Sequence, residues 1–335
     1  MSEYTVNRAI LHIYDFLSGN IGLSCRTLNL EDKWVSGYIT QLVKKCHTDM
    51  RKKKGEFSET SKFHSLFISY AKEELNFIEY SKQCSQQIGE YLKSTDNQSY
   101  DIVFADYRVD DVPFIGVYLL ENQKAYTHFS GADMEGNLEN TIMYHSCVLP
   151  SASKKIGGFA LVNTLTHGVS YVDEIKWTLG EVEVMKDLIL ECTSEKSCKE
   201  VLSEVEEVVK EVAVACDENP TILLSRYKNY VSSGLEENDT ISTEDLAANV
   251  FSDSEKLQDT FISTTLEHEI PKEVSIPSPS VKRSMKNQKI KTDTGIELSF
   301  PTEYFENPNM IEFINHDDGT ISIEIKNIGK ITNRK

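Results

Sequence analysis

The run YDIVFADYRVDDVPFIGVYLLENQKAYTHF, Tyr100 to Phe129, constrains the fold more than any other stretch of the chain. It is dense in β-branched and aromatic residues and is broken once, at Val109-Asp110-Asp111-Val112-Pro113. Strand side chains alternate between the two faces of a sheet, so runs of this kind separated by turn-forming residues predict an antiparallel hairpin or meander. GFALVNTL and VSYVDEIKW add at least two further strands.

Helical spacing precedes this region. VNRAILHIYDFLSGN carries Ile10, Ile13, Phe16 and Leu17 at helical intervals with Gly19-Asn20 after them, which predicts an amphipathic helix and its stop. WVSGYITQLVKKCHTDM predicts a second helix, with Lys44 and Lys45 in its last turn, where the electronegative carbonyl end favours positive charge. SETSKFHSLFISYAKEELNFIEYSKQCSQQIGEYL predicts a long helical stretch broken near Ile78 to Ser81. Helices followed by an antiparallel sheet that they can cover define an α+β class.

From about Gly180 the chain is helical and acidic. The stripe Val201, Leu202, Val205, Val208, Val209 and Val212 predicts an amphipathic helix, and Ser197 and Glu200 have capping-box spacing. TEDLAANVF and SEKLQDTFISTTLEH predict two more helices. Asp253, Glu255, Asp259, Glu267 and Glu269 oppose a single Lys256 there, a poor surface for phosphates, so a packed pair fits better than a DNA-reading helix-turn-helix. IPKEVSIPSPSVKRSMKNQKIK marks a boundary, and GIELSFP, MIEFIN and TISIEIKNI, with Asp318-Gly319 between the last two, predict a β-rich tail. The expected organisation is an N-terminal α+β domain at 1–180, an acidic helical region at 181–270, a linker or basic loop at 271–291 and a C-terminal β-hairpin subdomain at 292–335.

The net charge of −18 is unevenly spread: −4 over 1–180, −15 over 181–280 and +1 over 281–335. Binding to nucleic acid depends on a local positive surface and not on the total. Two basic clusters lie outside the acidic block: Lys44, Lys45, Arg51, Lys52, Lys53 and Lys54, and Lys282, Arg283, Lys286, Lys289 and Lys291. Charge alone makes solvated loops the simpler account of both. No stretch approaches the roughly 18 apolar residues of a membrane span, and the start lacks signal-peptide order, which predicts a cytoplasmic protein.

The chain holds no GxxxxGK[ST], GxGxxG or GxSxG motif. The seven cysteines are scattered without a CxxC pair, and the eight histidines include no HExxH, so no disulfide framework, metal site or cofactor is expected, and the cysteines are expected to be mostly buried. A metal-dependent nuclease would need clustered carboxylates near a lysine. Asp106, Asp110 and Asp111 with Glu121 and Lys124, and Asp317 and Asp318 with Glu324 and Lys326, are the sets on offer. Neither is specific, turn formation accounts for Asp317 and Asp318, and the expectation is no enzyme.

The tail IKTDTGIELSFPTEYFENPNMIEFINHDDGTISIEIKNIGKI resembles the end of the bacterial 37-kDa nucleoid-associated protein family. The matching residues are Gly295, Phe300, Pro301, Ile311, Glu312, Phe313, Asp318, Gly319, Ile321, Ile323, Lys326, Asn327 and Ile328, and Val148-Leu149-Pro150 ahead of a strand is a further match. The resemblance implies a nucleoid-associated, DNA-binding protein of bacteria or their mobile elements. The leading reading is binding to double-stranded DNA with little sequence preference, with the two basic clusters as candidate phosphate contacts. The alternative is an interaction module whose acidic block, with Glu204, Glu206, Glu207 and Glu211 as candidate contacts, engages a topoisomerase or recombination nuclease or imitates DNA before it. A homodimer is compatible with either.

Overall fold

The structure, a computed structural model, describes residues 2–95, 99–132, 136–234, 240–275, 287–305, 307–316 and 320–332. It divides into two units, Met1–Lys196 and Ser197–Lys335. The architecture is α+β with antiparallel sheets.

The first unit comprises β1 (Tyr4–Asp15), β2 (Asn20–Leu23), α1 (Lys33–His47), β3 (Lys53–Gly55), α2 (Lys62–Ala71), α3 (Phe77–Leu92), β4 (Ser99–Val109), β5 (Val112–Glu121), β6 (Gln123–Ala132), β7 (Leu138–Val148), β8 (Gly158–Asn163) and β9 (Val169–Asp173). Seven strands form one sheet in the order β2-β1-β4-β5-β8-β9-β3, and β6 pairs with β7. The expected hairpin lies at the sheet's centre, with Val109 opposite Val112. Asp110 and Asp111 both take positive φ, 47° and 67°, as a two-residue turn matched to the strand twist requires.

Helices cover both faces. Ile102, Phe104, Val117 and Leu119 face Phe63 and Phe67 of α2 and Tyr80, Cys84 and Ile88 of α3. Val103, Ala105, Tyr118 and Leu120 face Ile39, Leu42, Val43 and Cys46 of α1. A π-helical turn, Val184–Leu190, joins the α2/α3 side.

Three expectations are corrected. The first segment is strand β1 and not a helix: Ala9 belongs to one core and Ile10 and Tyr14 to the other. A strand buried on both faces presents a nearly continuous apolar run, in which helical spacing arises without a helix. Gly19 (φ 74°) belongs to the turn between β1 and β2. The helical break falls at Lys72–Asn76, ahead of the expected place, because Asn76 caps α3 by accepting from Ile78 N and Glu79 N, both at 3.0 Å. Only Cys46 and Cys84 of the seven cysteines are fully buried, and Cys25 is exposed.

The second unit comprises α4 (Cys198–Ala215), α5 (Pro220–Gly234), β10 (Thr240–Ser242), α6 (Thr243–Val250), α7 (Glu255–Glu267), β11 (Glu273–Ser275), β12 (Asn287–Lys291), β13 (Glu297–Pro301), β14 (Ile311–Asn315) and β15 (Ile321–Ile325). Both halves of the Ser197–Glu200 capping box form, and the whole predicted valine and leucine stripe of α4 is buried. Phe251 and Phe261 meet with ring centroids 5.1 Å apart, which makes α6 and α7 the expected packed pair. In the tail β12 pairs with β13 and β14 with β15. Asp317, Asp318 and Gly319 of the predicted turn lie outside the described residues.

Candidate nucleic-acid interface

The first basic cluster runs from the end of α1 into β3. Asp32 caps the start of α1, accepting from Trp34 N at 2.8 Å, while Lys44, Lys45 and His47 occupy the last turn and complement the helix dipole. Beyond it the cations separate into inward and outward groups.

Arg51 turns inward, with a side chain 9% exposed. Its Nε and Nη2 donate to the two oxygens of Asp49 at 3.0 and 2.6 Å, Nη1 to Glu174 at 2.6 Å and Nη2 to the Ile156 carbonyl at 3.0 Å. The guanidinium thus ties the loop after α1 to the ends of β8 and β9. Lys52 donates to the His47 carbonyl, and burial lowers its pKa to about 8. Lys53 pairs with Glu183 at 3.3 Å. Lys45 donates to the Ser153 carbonyl, and burial lowers its pKa.

Lys44 and Lys54 are the exposed members. Lys44 Nζ lies 5.6 Å from the centroid of the Tyr4 ring. Lys54 sits on β3, the last strand of the sheet order, whose outer side is met by the segment after the π-helical turn: Thr193 N donates to Glu56 O at 2.9 Å and Glu195 N to Lys54 O at 2.8 Å. An edge covered in this way is closed to further strands, and it leaves the Lys54 side chain outward.

The outward face of α1 joins Lys44 to residues that charge clustering along the sequence did not single out. Lys33, Ser36, Gly37, Thr40, Gln41 and Lys44 line a shallow groove along the helix. Trp34, 90% exposed, stands beside it. The 15 residues of α1 contain no Asp or Glu. The signal was the helical period: Lys33 and Lys44 are eleven residues apart, three turns along one face.

In the second unit Lys289 and Lys291 lie exposed on β12, and Lys291 pairs with Glu297 at 3.3 Å. Lys282, Arg283 and Lys286 lie outside the described residues. Of the acidic candidates on α4, Glu206 reaches Lys210 at 3.4 Å and Lys228 at 3.7 Å, and Glu211 reaches His268 at 3.3 Å. Glu204 is half-buried and Glu207 exposed.

Among the described carboxylates weighed for metal chemistry, three have structural roles. Asp106 accepts from Arg8 Nε and Asn7 Nδ2 at 3.0 Å and from the Tyr70 hydroxyl at 3.1 Å, and Asp110 and Asp111 form the β4–β5 turn. Among the described residues no group of three His, Cys, Asp or Glu side chains could hold a metal ion. No described helix is long and apolar enough to cross a membrane.

The chain is thus an α+β protein of two units, and its α1 carries no acidic residue. It belongs to the family described as nucleoid-associated protein YejK, whose family model matches residues 10–332, nearly the whole chain. It is therefore a nucleoid-associated protein. No curated protein matches it.

Proposed function

We propose that the chain binds double-stranded DNA with little sequence preference, at the nucleoid in the cytoplasm, through phosphate contacts from the outward face of α1. The acid-free face with a lysine at each end carries this reading, in a chain with 53 acidic residues. Lys33 and Lys44 stand roughly 16 Å apart along the helix axis at 1.5 Å per residue, far enough to reach separate phosphates. Ser36, Gly37 and Thr40 between them are small and allow close approach, and Gln41 can donate to a phosphate oxygen. Lys54, Lys289 and Lys291 are secondary contacts, as are Lys282, Arg283 and Lys286. Arg51, Lys52, Lys53 and Lys45 support the loop from within. The role is one of binding, with no catalytic step.

Fluorescence anisotropy on unrelated duplexes over a range of salt tests this. Lys33→Glu with Lys44→Glu should weaken every duplex alike and lower the log–log salt slope by roughly 0.9 for each phosphate no longer neutralised. Arg51→Ala should leave the slope in place and lower stability by about 2–4 kcal/mol, since it strands Asp49 in a half-buried loop. An unchanged slope in the double variant would refute this site.

A second reading rests on the charge of −15 over residues 181–280, a helical region that would engage a basic surface on a DNA-bound enzyme such as a topoisomerase or recombination nuclease. Glu207 and Glu211 lie exposed on α4. Charge reversal there should abolish capture of such an enzyme and leave direct DNA affinity intact.

A further inference from the structure

Trp34 is 90% exposed, an unusual state for a ring of its size, which folded chains keep mostly covered. Its place in the fold is fixed. The backbone N–H of Trp34 donates to Asp32 Oδ1 at 2.8 Å and that of Val35 to the same oxygen at 3.3 Å, which caps the first turn of α1. Farther along, Ile39, Leu42, Val43 and Cys46 bury the other side of the helix in the core on that face of the sheet. The indole is thus an open apolar surface carried on a stiff element.

The space beside the ring is open as well. Gly37 and Gln41 follow Trp34 at three and seven residues, so the three share one edge of α1, next to Lys33 and Lys44. No heavy atom lies within 4 Å of where a Cβ on Gly37 would stand. That leaves room for a flat group to lie against the indole.

Charge decides what such a group belongs to. α1 contains no acidic residue and carries Lys44, Lys45 and His47 in its last turn. Asp32 is engaged as the cap, and Glu31 lies ahead of the helix. An apolar platform among cations, in a chain of net charge −18, suits a partner that is anionic and offers flat faces, which is the chemistry of a nucleic acid. In continuous duplex each base is covered above and below by its neighbours and shows only its edges in the grooves. Side chains that wedge between paired steps are more compact than an indole. A ring beside phosphate-contacting lysines therefore reaches a base face where stacking is interrupted, and taking a base out of the stack costs least when it has no pairing partner.

We infer that Trp34 is a base-stacking platform beside the lysines of α1, and that the chain favours DNA carrying unpaired bases over continuous duplex. The inference rests on the reading of α1 as the phosphate-contacting face and adds the class of DNA that this face selects. Lys33 and Lys44 hold the backbone while Trp34 takes one base, and because every base has a π face the contact is blind to sequence.

Fluorescence anisotropy on the full chain tests this with three probes: a continuous duplex, the same duplex with a gap of several unpaired thymines, and single-stranded oligothymidylate. Wild type should bind the gapped duplex more tightly than the continuous one. Trp34→Ala should weaken binding to the gapped and single-stranded probes by about 5- to 150-fold, the range of one lost base stack. It should leave affinity for the continuous duplex, its salt slope and the thermal midpoint unchanged, and Trp34→Phe should restore part of the loss. Oligothymidylate should also quench tryptophan emission in wild type and not in Trp34→Phe, because the second tryptophan, Trp177, is half-buried with Nε1 donating to Asp173 at 2.6 Å. Equal wild-type affinity for gapped and continuous duplex would overturn the inference, as would a Trp34→Ala loss that is the same on all three probes. Both results leave the phosphate reading in place, which Lys33→Glu with Lys44→Glu tests by itself. If that double variant keeps its salt slope, the reading of α1 fails and this inference with it.

Discussion

Asp101 carries an electrostatic penalty. It is 7% exposed, and Oδ1 has no hydrogen-bond partner among the described residues. Burial raises its pKa to about 6, against the opposing effect of a hydrogen bond from Asn122, with nearby Asp15 adding to the rise. A carboxyl with a raised folded pKa binds its proton more tightly folded than unfolded, so it destabilises as pH climbs from about 4 to 6. Asp101→Asn should therefore be more stable than wild type at pH 7 by about 1–3 kcal/mol, and the advantage should vanish below about pH 4. Chemical denaturation at the two pH values measures both. His12 works in the opposite sense: burial lowers its pKa to about 4, so its neutral form is lost, with its share of stability, as pH falls from about 6.5 to 4. It bridges Ser81 Oγ at 3.0 Å and Ser24 N at 3.1 Å. The basic cluster shows what sequence conveys at this scale. Six cations near one another were legible; that Arg51 and Lys53 face inward was not, because their partners Glu174 and Glu183 stand 123 and 130 positions away.

Elements were legible where one signal sufficed. α4 has a capping box and one apolar stripe, and both formed. Ser197→Ala should cost about 1 kcal/mol by removing the cap, read as a lower thermal midpoint with far-UV signal retained. α3 and β1 meet closely: a Cβ on Gly89 would lie 2.2 Å from Tyr14 Cε1, and the Tyr14 hydroxyl donates to the Ser85 carbonyl at 2.7 Å. Gly89→Ala should destabilise by about 1–3 kcal/mol through overpacking, and equilibrium unfolding would detect it. β1 was not legible because its spacing is compatible with two periods. Pairing with β4 along its length, from Tyr4 opposite Val109 to Asp15 opposite Ser99, decides between them. The acid-free face of α1 was hidden for a different reason. Its two lysines are eleven residues apart in sequence and become one surface once the helix winds.

For the whole molecule, the net charge of −18 is so unevenly spread that binding to DNA depends on where a local positive surface lies. DNA binding through phosphate contacts releases counterions, so added salt should weaken it. Anisotropy over a salt series should show this fall for every duplex alike, and affinity that holds or rises with salt would contradict phosphate contact through α1.

By itself the sequence determined the α+β class, the β4–β5 hairpin, the α4 cap and stripe, the strands of the tail and the uneven charge, since each is written in a local period or in turn chemistry. The tertiary structure alone decided that the first segment is a strand, which lysines face outward, and that β6 and β7 stand off the sheet as an arm. These depend on partners far along the chain, and local spacing carries no record of which distant surface a side chain will meet.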